Sequence, residues 1–160
     1  MARPHLAGRE EEYVLRVLRS GILSIGPFIE KFEKTFAKKM GTRYACAVSR
    51  GTAGLHLALI AAGIKEGDEV ITSPFSFIAS ANAILYVRAK PVFVDVDSMT
   101  GNIDAGKIEA AITRKTRAIL PVHIFGQPAQ MDVIMKTAKK HKLRVIEDAC
   151  ESLDATYIRK

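Results

Sequence analysis

Arg117-Ala118-Ile119-Leu120-Pro121-Val122, followed by Met131-Asp132-Val133-Ile134-Met135-Lys136-Thr137-Ala138-Lys139-Lys140-His141 and then Leu143-Arg144-Val145-Ile146, decides the fold. The two outer runs are short and apolar rather than strictly alternating, as in strands covered on both faces. Between them Met131, Ile134, Met135 and Ala138 recur at helical steps, which predicts a helix over 131–141 with those four residues inward. A strand, a helix and a second strand joined by short turns make parallel neighbours with a right-handed crossover.

The same alternation continues toward the N-terminus. Gly67-Asp68 turns into a strand over Glu69 to Thr72, Ser73-Pro74 breaks it, and Ser76 to Tyr86 reads as a helix. Pro91 to Val96 is a strand, Asp97 to Asn102 a turn-rich loop, and Asp104 a candidate cap for a helix ending near Ile112. Further upstream, Tyr44 to Val48 is an apolar strand, and Ser49-Arg50-Gly51-Thr52 turns into a helix that reaches about Ala62 and closes at Gly63. Two helices begin the chain. Glu10 to Ser20 carries Val14, Leu15, Val17 and Leu18 and stops at Gly21. The second opens at Pro27, carries Phe28, Phe32 and Phe36, and stops at Gly41. The expected fold class is α/β, one domain with a mostly parallel sheet flanked by helices, without internal repeat or long linker.

Composition narrows the functional classes. The 160 residues are 48% hydrophobic and 26% charged, a globular balance. The net charge is +7. Its lysines gather at predicted helix ends, Lys38 and Lys39 at one and Lys136, Lys139, Lys140 and Lys142 at another, where cations are favourable in themselves. Basic and aromatic residues do not interleave, so no nucleic-acid partner is expected. No apolar run approaches the ~20 residues of a membrane span, and Met1-Ala2-Arg3-Pro4-His5 lacks a signal peptide's apolar stretch. The expected address is cytoplasmic, with no membrane partner. Cys46 and Cys150 form neither a metal-ligand spacing nor a disulfide framework, and packing is the expected role of both.

Ligands of open α/β sheets bind outside the carboxyl ends of the strands, and that rule selects few residues here. Gly51 and Thr52 open a helix, where free N–H groups, the helix dipole and a hydroxyl suit a phosphate; an ordinary turn is the alternative. Phe77 follows the turn after the Glu69–Thr72 strand and suits a flat ring; the alternative is a core phenylalanine. Asp148 follows the last strand and suits a protonated ring nitrogen; the alternative is a helix N-cap. His123 follows the fourth strand, as a ligand contact or a structural histidine. A phosphate turn, an aromatic and a carboxylate at one sheet edge suit a phosphorylated aromatic cofactor with a protonated nitrogen, such as pyridoxal 5'-phosphate (PLP).

Several ordered stretches then resemble one family. They are Leu18-Arg19-Ser20-Gly21 with Gly26-Pro27, Ser49-Arg50-Gly51-Thr52-Ala53, Gly67-Asp68-Glu69-Val70-Ile71 leading to Pro74-Phe75-Ser76-Phe77, and Pro91-Val92-Phe93-Val94-Asp95-Val96-Asp97. Pro121-Val122-His123 with Gly126-Gln127-Pro128, and Glu147-Asp148-Ala149-Cys150-Glu151-Ser152-Leu153, complete the series. The chain resembles the DegT/DnrJ/EryC1/StrS aminotransferases from about Arg3 to Tyr157. The resemblance implies the large domain of the aspartate-aminotransferase type of PLP fold, in incomplete form. It implies that Gly51 and Thr52 hold the PLP phosphate, Phe77 stacks on the ring, Asp148 pairs with its nitrogen, and Glu151 stands near the phenolic oxygen. The low-ranked His123 is assigned to substrate. The implied reaction transfers an amino group, usually from glutamate, to a keto group of a nucleotide-linked sugar, in a homodimer with sites at the subunit boundary.

Three departures qualify the resemblance. Arg50 stands where a small polar residue is usual, and Asp154 where a glycine commonly follows Ser-Leu. The family's Schiff-base lysine and small C-terminal domain lie beyond these residues, and Lys160 matches no lysine motif. The expectation is therefore an N-terminal piece, residues 1–160, of the PLP-binding large domain of an aminotransferase, without catalytic residue of its own. The alternatives are a truncated non-catalytic remnant and a sugar dehydratase of the same family using PLP or pyridoxamine phosphate. An unrelated α/β nucleotide-binding module is disfavoured, because neither a Gly-x-Gly-x-x-Gly turn nor a Walker phosphate loop occurs.

Overall fold

The computed structural model describes residues 5, 6 and 8–157. Lys160 and residues 1–4 lie outside the described residues. The chain divides into two compact units, one up to Ala47 and one from Val48 onward.

The first unit holds helices α1 (Glu10–Ser20) and α2 (Pro27–Met40). Both match the sequence boundaries because the local signals are strong. Gly21 and Gly41 take the left-handed conformation that closes each helix, at φ +69° and +65°. Pro27 occupies the first turn of α2, and Lys38 and Lys39 its last. Tyr13 and Phe28 meet edge-to-face at 5.7 Å. Within α1 no residue is buried, so its Val14, Leu15 and Leu18 stripe is exposed.

The Tyr44–Val48 strand does not form. Tyr44 is 75% exposed, and no strand pairs with this segment among the described residues. An apolar run without a ladder partner gains little from extended pairing, and the one bond Ala47 N–H makes is to the Glu33 carboxylate, at 2.8 Å. Cys46, expected in a core, is exposed for the same reason.

The second unit is a four-stranded parallel sheet with helices α3 (Gly51–Ala61), α4 (Ala79–Tyr86) and α5 (Met131–His141). Its strands are β1 (Glu69–Thr72), β2 (Lys90–Phe93), β3 (Thr116–Leu120) and β4 (Arg144–Val145), in the order β2-β1-β3-β4. Thr72 stands opposite Phe93 on one side and Leu120 on the other. The two faces follow from strand alternation. Val70, Ala118 and Leu120 pack with Leu55, Leu59 and Ile84 from α3 and α4. Ile71 and Ile119 pack with Val94, Ile103, Ile108 and, from α5, Ile134 and Ala138.

Several expectations shift. The edge strand β2 is partly exposed, and its pairing stops at Phe93; Val96 instead bridges Ile103 in antiparallel fashion. The helix after Asp104 shortens to turns and a single 3-10 turn over Glu109–Ala111, although the Asp104 carboxylate still accepts the Gly106 N–H at 3.0 Å. Helix α4 begins at Ala79 because Ser73 to Ile78 are held in turns, the Ser73 hydroxyl accepting the Phe75 N–H at 3.1 Å. Met135 is exposed rather than inward, leaving Ile134 and Ala138 to bury α5. No helix among the described residues is long and apolar enough to cross a membrane.

Candidate functional site

Strand order reverses between β1 and β3. The chain leaves β1 for β2 on one side and leaves β3 for β4 on the other, which opens a crevice at their carboxyl ends. The Thr72 hydroxyl donates to the Leu120 carbonyl at 2.8 Å and fastens the two strands at its floor. The segments that follow, 73–78 from β1 and 121–126 from β3, form its walls.

Asp148 comes to this crevice by an extension of the sheet. Its N–H donates to the Pro121 carbonyl at 2.9 Å, and its own carbonyl accepts the His123 N–H at 3.0 Å, a parallel bridge between Val122 and Asp148. The residue is 6% exposed, and each carboxylate oxygen accepts a hydrogen bond. Oδ2 accepts the Ser80 hydroxyl at 2.9 Å, and Oδ1 accepts the Cys150 N–H at 3.3 Å. Ser80 Oγ lies 2.8 Å from Ser76 Oγ, and the Ser80 N–H donates to the carbonyl of Phe77 at 3.2 Å. Phe77 and Asp148 are thereby tied through one serine, while the Phe77 ring stays open, the residue being 74% exposed.

Gly51 reaches the same place through Cys150. A Cβ on Gly51 would lie 2.8 Å from Cys150 Sγ, so only glycine fits without displacement. Arg50, extended before α3, gives no side-chain cap, which leaves the N–H groups of the first turn uncapped beside Thr52. The Cys150 thiol is pushed up to about 11, first by burial, then by its hydrogen bond to Asp148, then by the Asp148 and Glu151 charges. It is therefore a protonated packing residue at neutral pH, although exposed overall.

Two sequence-assigned residues are used differently. His123 is 4% exposed, and both ring nitrogens are engaged: Nε2 lies 2.9 Å from Glu147 Oε2, and Nδ1 accepts the Ala129 N–H at 3.2 Å. Both ring nitrogens thus have partners within the chain. Because Nδ1 accepts, the proton sits on Nε2 and is donated to Glu147. That bond holds the Glu147 carboxyl below its usual range against a desolvation effect of opposite sign. Glu151 Oε2 accepts the Phe125 N–H at 2.8 Å and fixes a phenylalanine at φ +53°. A left-handed phenylalanine is strained, and the carboxylate holds the turn that carries it.

Asp154, in the position expected of glycine, takes φ +69°: the turn persists with an aspartate in the left-handed region. Ser76, Ser80 and Cys150 were not singled out from sequence as site-forming residues. The available signal is a serine on the otherwise apolar buried face of α4.

The crevice residues fit a phosphorylated pyridine: uncapped first-turn N–H groups and a hydroxyl beside a glycine in close contact with Cys150, an open aromatic ring, and a buried carboxylate limited to acceptor bonds. A profile of the DegT/DnrJ/EryC1/StrS aminotransferase family matches residues 4–160. The GDP-perosamine synthase of Caulobacter vibrioides is 51% identical over 158 residues, 98% of this chain and 43% of that protein. The aminotransferase from Psychrobacter cryohalolentis superposes with a TM-score of 0.93 at 43% identity, over 98% of this chain and 40% of that one. The E. coli GDP-4-keto-6-deoxy-D-mannose-3-dehydratase with bound hydrated PLP gives 0.90 at 32% identity, over 99% of this chain and 42% of that one. The chain thus spans less than half the length of these relatives.

Proposed function

Because the chain belongs to the DegT/DnrJ/EryC1/StrS aminotransferase family, we propose that it is the N-terminal part of the cofactor-binding large domain of a PLP-dependent sugar aminotransferase. The whole protein moves an amino group, with glutamate as donor, to a keto group on a nucleotide-linked sugar. It works as a cytoplasmic homodimer. On this reading the Schiff-base lysine and the small domain belong to the part of the whole protein that these residues do not include. The observation that carries the reading is the buried Asp148 carboxylate, held at the crevice by Ser80 and joined through Cys150 to the Gly51 turn.

Bound there, the cofactor supplies an electron sink that stabilises negative charge beside the amine nitrogen. The chain's residues do the holding. Gly51 and Thr52 bind the phosphate through N–H groups and the hydroxyl, assisted by the positive end of α3. Phe77 covers the ring face and excludes water from it. Asp148 keeps a proton on the ring nitrogen, an ion pair strengthened by burial. Glu151 flanks the phenolic oxygen, its like charge offset by the Phe125 N–H.

A dehydratase of the same family is the second reading, favoured by the 0.90 superposition on the E. coli 3-dehydratase. Pyridoxamine 5'-phosphate tests what the two share, because it lacks the aldehyde that labels surface lysines. We expect saturable binding by its own fluorescence, weakened about a hundredfold in Asp148→Asn, in line with ~3 kcal/mol for breaking a buried pair. Equal affinity in the two proteins would reject the cofactor reading. Product analysis on a keto sugar then separates amination from deoxygenation.

A further inference from the structure

We infer that Ser80 is the positioning residue of the site: it sets where Asp148 stands relative to Phe77 and how its carboxylate is turned for a ring nitrogen. The inference rests on the cofactor reading above. Its basis is a count of protons. A carboxylate accepts only, so the 2.9 Å contact between Ser80 Oγ and Asp148 Oδ2 uses the one hydroxyl proton of Ser80. The 2.8 Å contact between Ser76 and Ser80 then has Ser76 as donor. Ser76 also has the Phe77 carbonyl within 3.1 Å, a longer contact that competes for the same hydroxyl proton. The order Ser76 to Ser80 to Asp148 is therefore the one in which each group is satisfied.

Burial gives the order its force. Ser80 is 1% exposed and lies on α4, whose buried face also carries Ala79, Ala83 and Ile84. Hydrogen bonds to charged groups are the strong ones, and they weaken little where water is kept out. Ser80 donates from its backbone to the Phe77 carbonyl and from its side chain to the Asp148 carboxylate, so the ring-facing residue and the nitrogen-facing residue move together. Oδ2 accepts the Ser80 hydroxyl at 2.9 Å and Oδ1 the Cys150 N–H at a longer 3.3 Å, so the Ser80 bond is the stronger of the two that orient the carboxylate.

The test compares pyridoxamine 5'-phosphate with its 1-deaza analogue, which has CH in place of the ring nitrogen. Both keep phosphate and ring face; only the first can pair with Asp148. The wild-type chain is expected to prefer the nitrogen-bearing ligand. Ser80→Ala is expected to lose about tenfold of that preference, as for one hydrogen bond to a charged group, with affinity for the analogue unchanged. Ser80→Thr, which restores the hydroxyl, is expected to retain it. Ser80→Cys, of similar size but a weak donor, follows alanine and decides the matter if Ser80→Ala fails to fold by thermal unfolding. An unchanged preference in the alanine and cysteine variants, or equal losses for both ligands, overturns the inference while leaving the cofactor reading intact. A wild-type chain with no preference between the ligands rejects Asp148 as the nitrogen's partner and removes the inference with it.

Discussion

The carboxyl-end crevice and the edge of β4 are both concave, and they differ in what fills them. A concavity of about 1270 Å³ lies along β4 and α5, with Met135, Lys136, Lys139, Arg144 and Tyr157 among its walls. It contains none of Gly51, Thr52, Phe77 or Asp148. Its volume reflects a two-residue terminal strand and long charged side chains, and its internal contacts are of the kind any surface makes, such as the hydrogen bond from the Tyr157 hydroxyl to Asp132. The crevice instead gathers the Ser80 hydroxyl and the Cys150 N–H onto one buried carboxylate. Among the described residues no buried side-chain nitrogen or oxygen lacks a partner, so those groups are held rather than stranded. Convergence of satisfied buried polar groups, and not volume, marks the site.

The sharpest way to test that contrast is through the packing beneath each region. Ile119 is fully buried in β3 under the crevice, and Met135 is exposed on the β4 side. Ile119→Ala is expected to cost about 3 kcal/mol of stability, and Met135→Ala less than about 1, by chemical denaturation. Comparable losses would mean that the β4 side is as well packed as the crevice.

A smaller effect tests the contact between Gly51 and Cys150. Gly51→Ala is expected to destabilise by about 1 kcal/mol, near the low end for overpacking because a cysteine side chain can rotate. Adding Cys150→Ala removes the sulfur and is expected to restore most of the loss in a double-mutant cycle. Additive losses would show that the two residues do not touch.

The smallest effect belongs to Glu147, which joins the two regions because it pairs with His123 and lines the β4 concavity. Its carboxyl is held below its usual range in the folded chain, so its contribution is present above the ordinary glutamate range and lost as the pH falls through and below it. Glu147 is half exposed, so screening keeps the contribution under about 1 kcal/mol. Glu147→Gln is expected to lower the melting temperature slightly at neutral pH and to match wild type in acid. A gap that widens in acid would reverse the assigned sign.

Wherever the signal was local, the sequence located the elements. Helices α1, α2 and α5 begin and end where glycine, proline and charge place them, and β1 matches its expected span. The parallel class follows from the spacing of apolar runs, and Phe77 and Asp148 from the rule that ligands gather at strand carboxyl ends, whereas Gly51 and Thr52 open α3 after a segment that forms no strand. What failed depended on partners distant in sequence. Tyr44 to Val48 has a strand's composition but no ladder neighbour, and the helix after Asp104 gives way to turns.

The sequence by itself determined the alternation of strands and helices, the family, and which residue types reach the sheet's carboxyl edge. Hydrophobic period, turn chemistry and motif order are all carried by near neighbours in the chain. Only the tertiary structure decided what those residues do to one another. It spent both nitrogens of His123 on Glu147 and Ala129, bound Glu151 to the turn at Phe125, and placed Ser80 between Phe77 and Asp148. Ser80 and Asp148 are 68 positions apart. A hydrogen bond across that separation exists only after β1 and β3 have paired and α4 has packed on the sheet, and no local pattern encodes it.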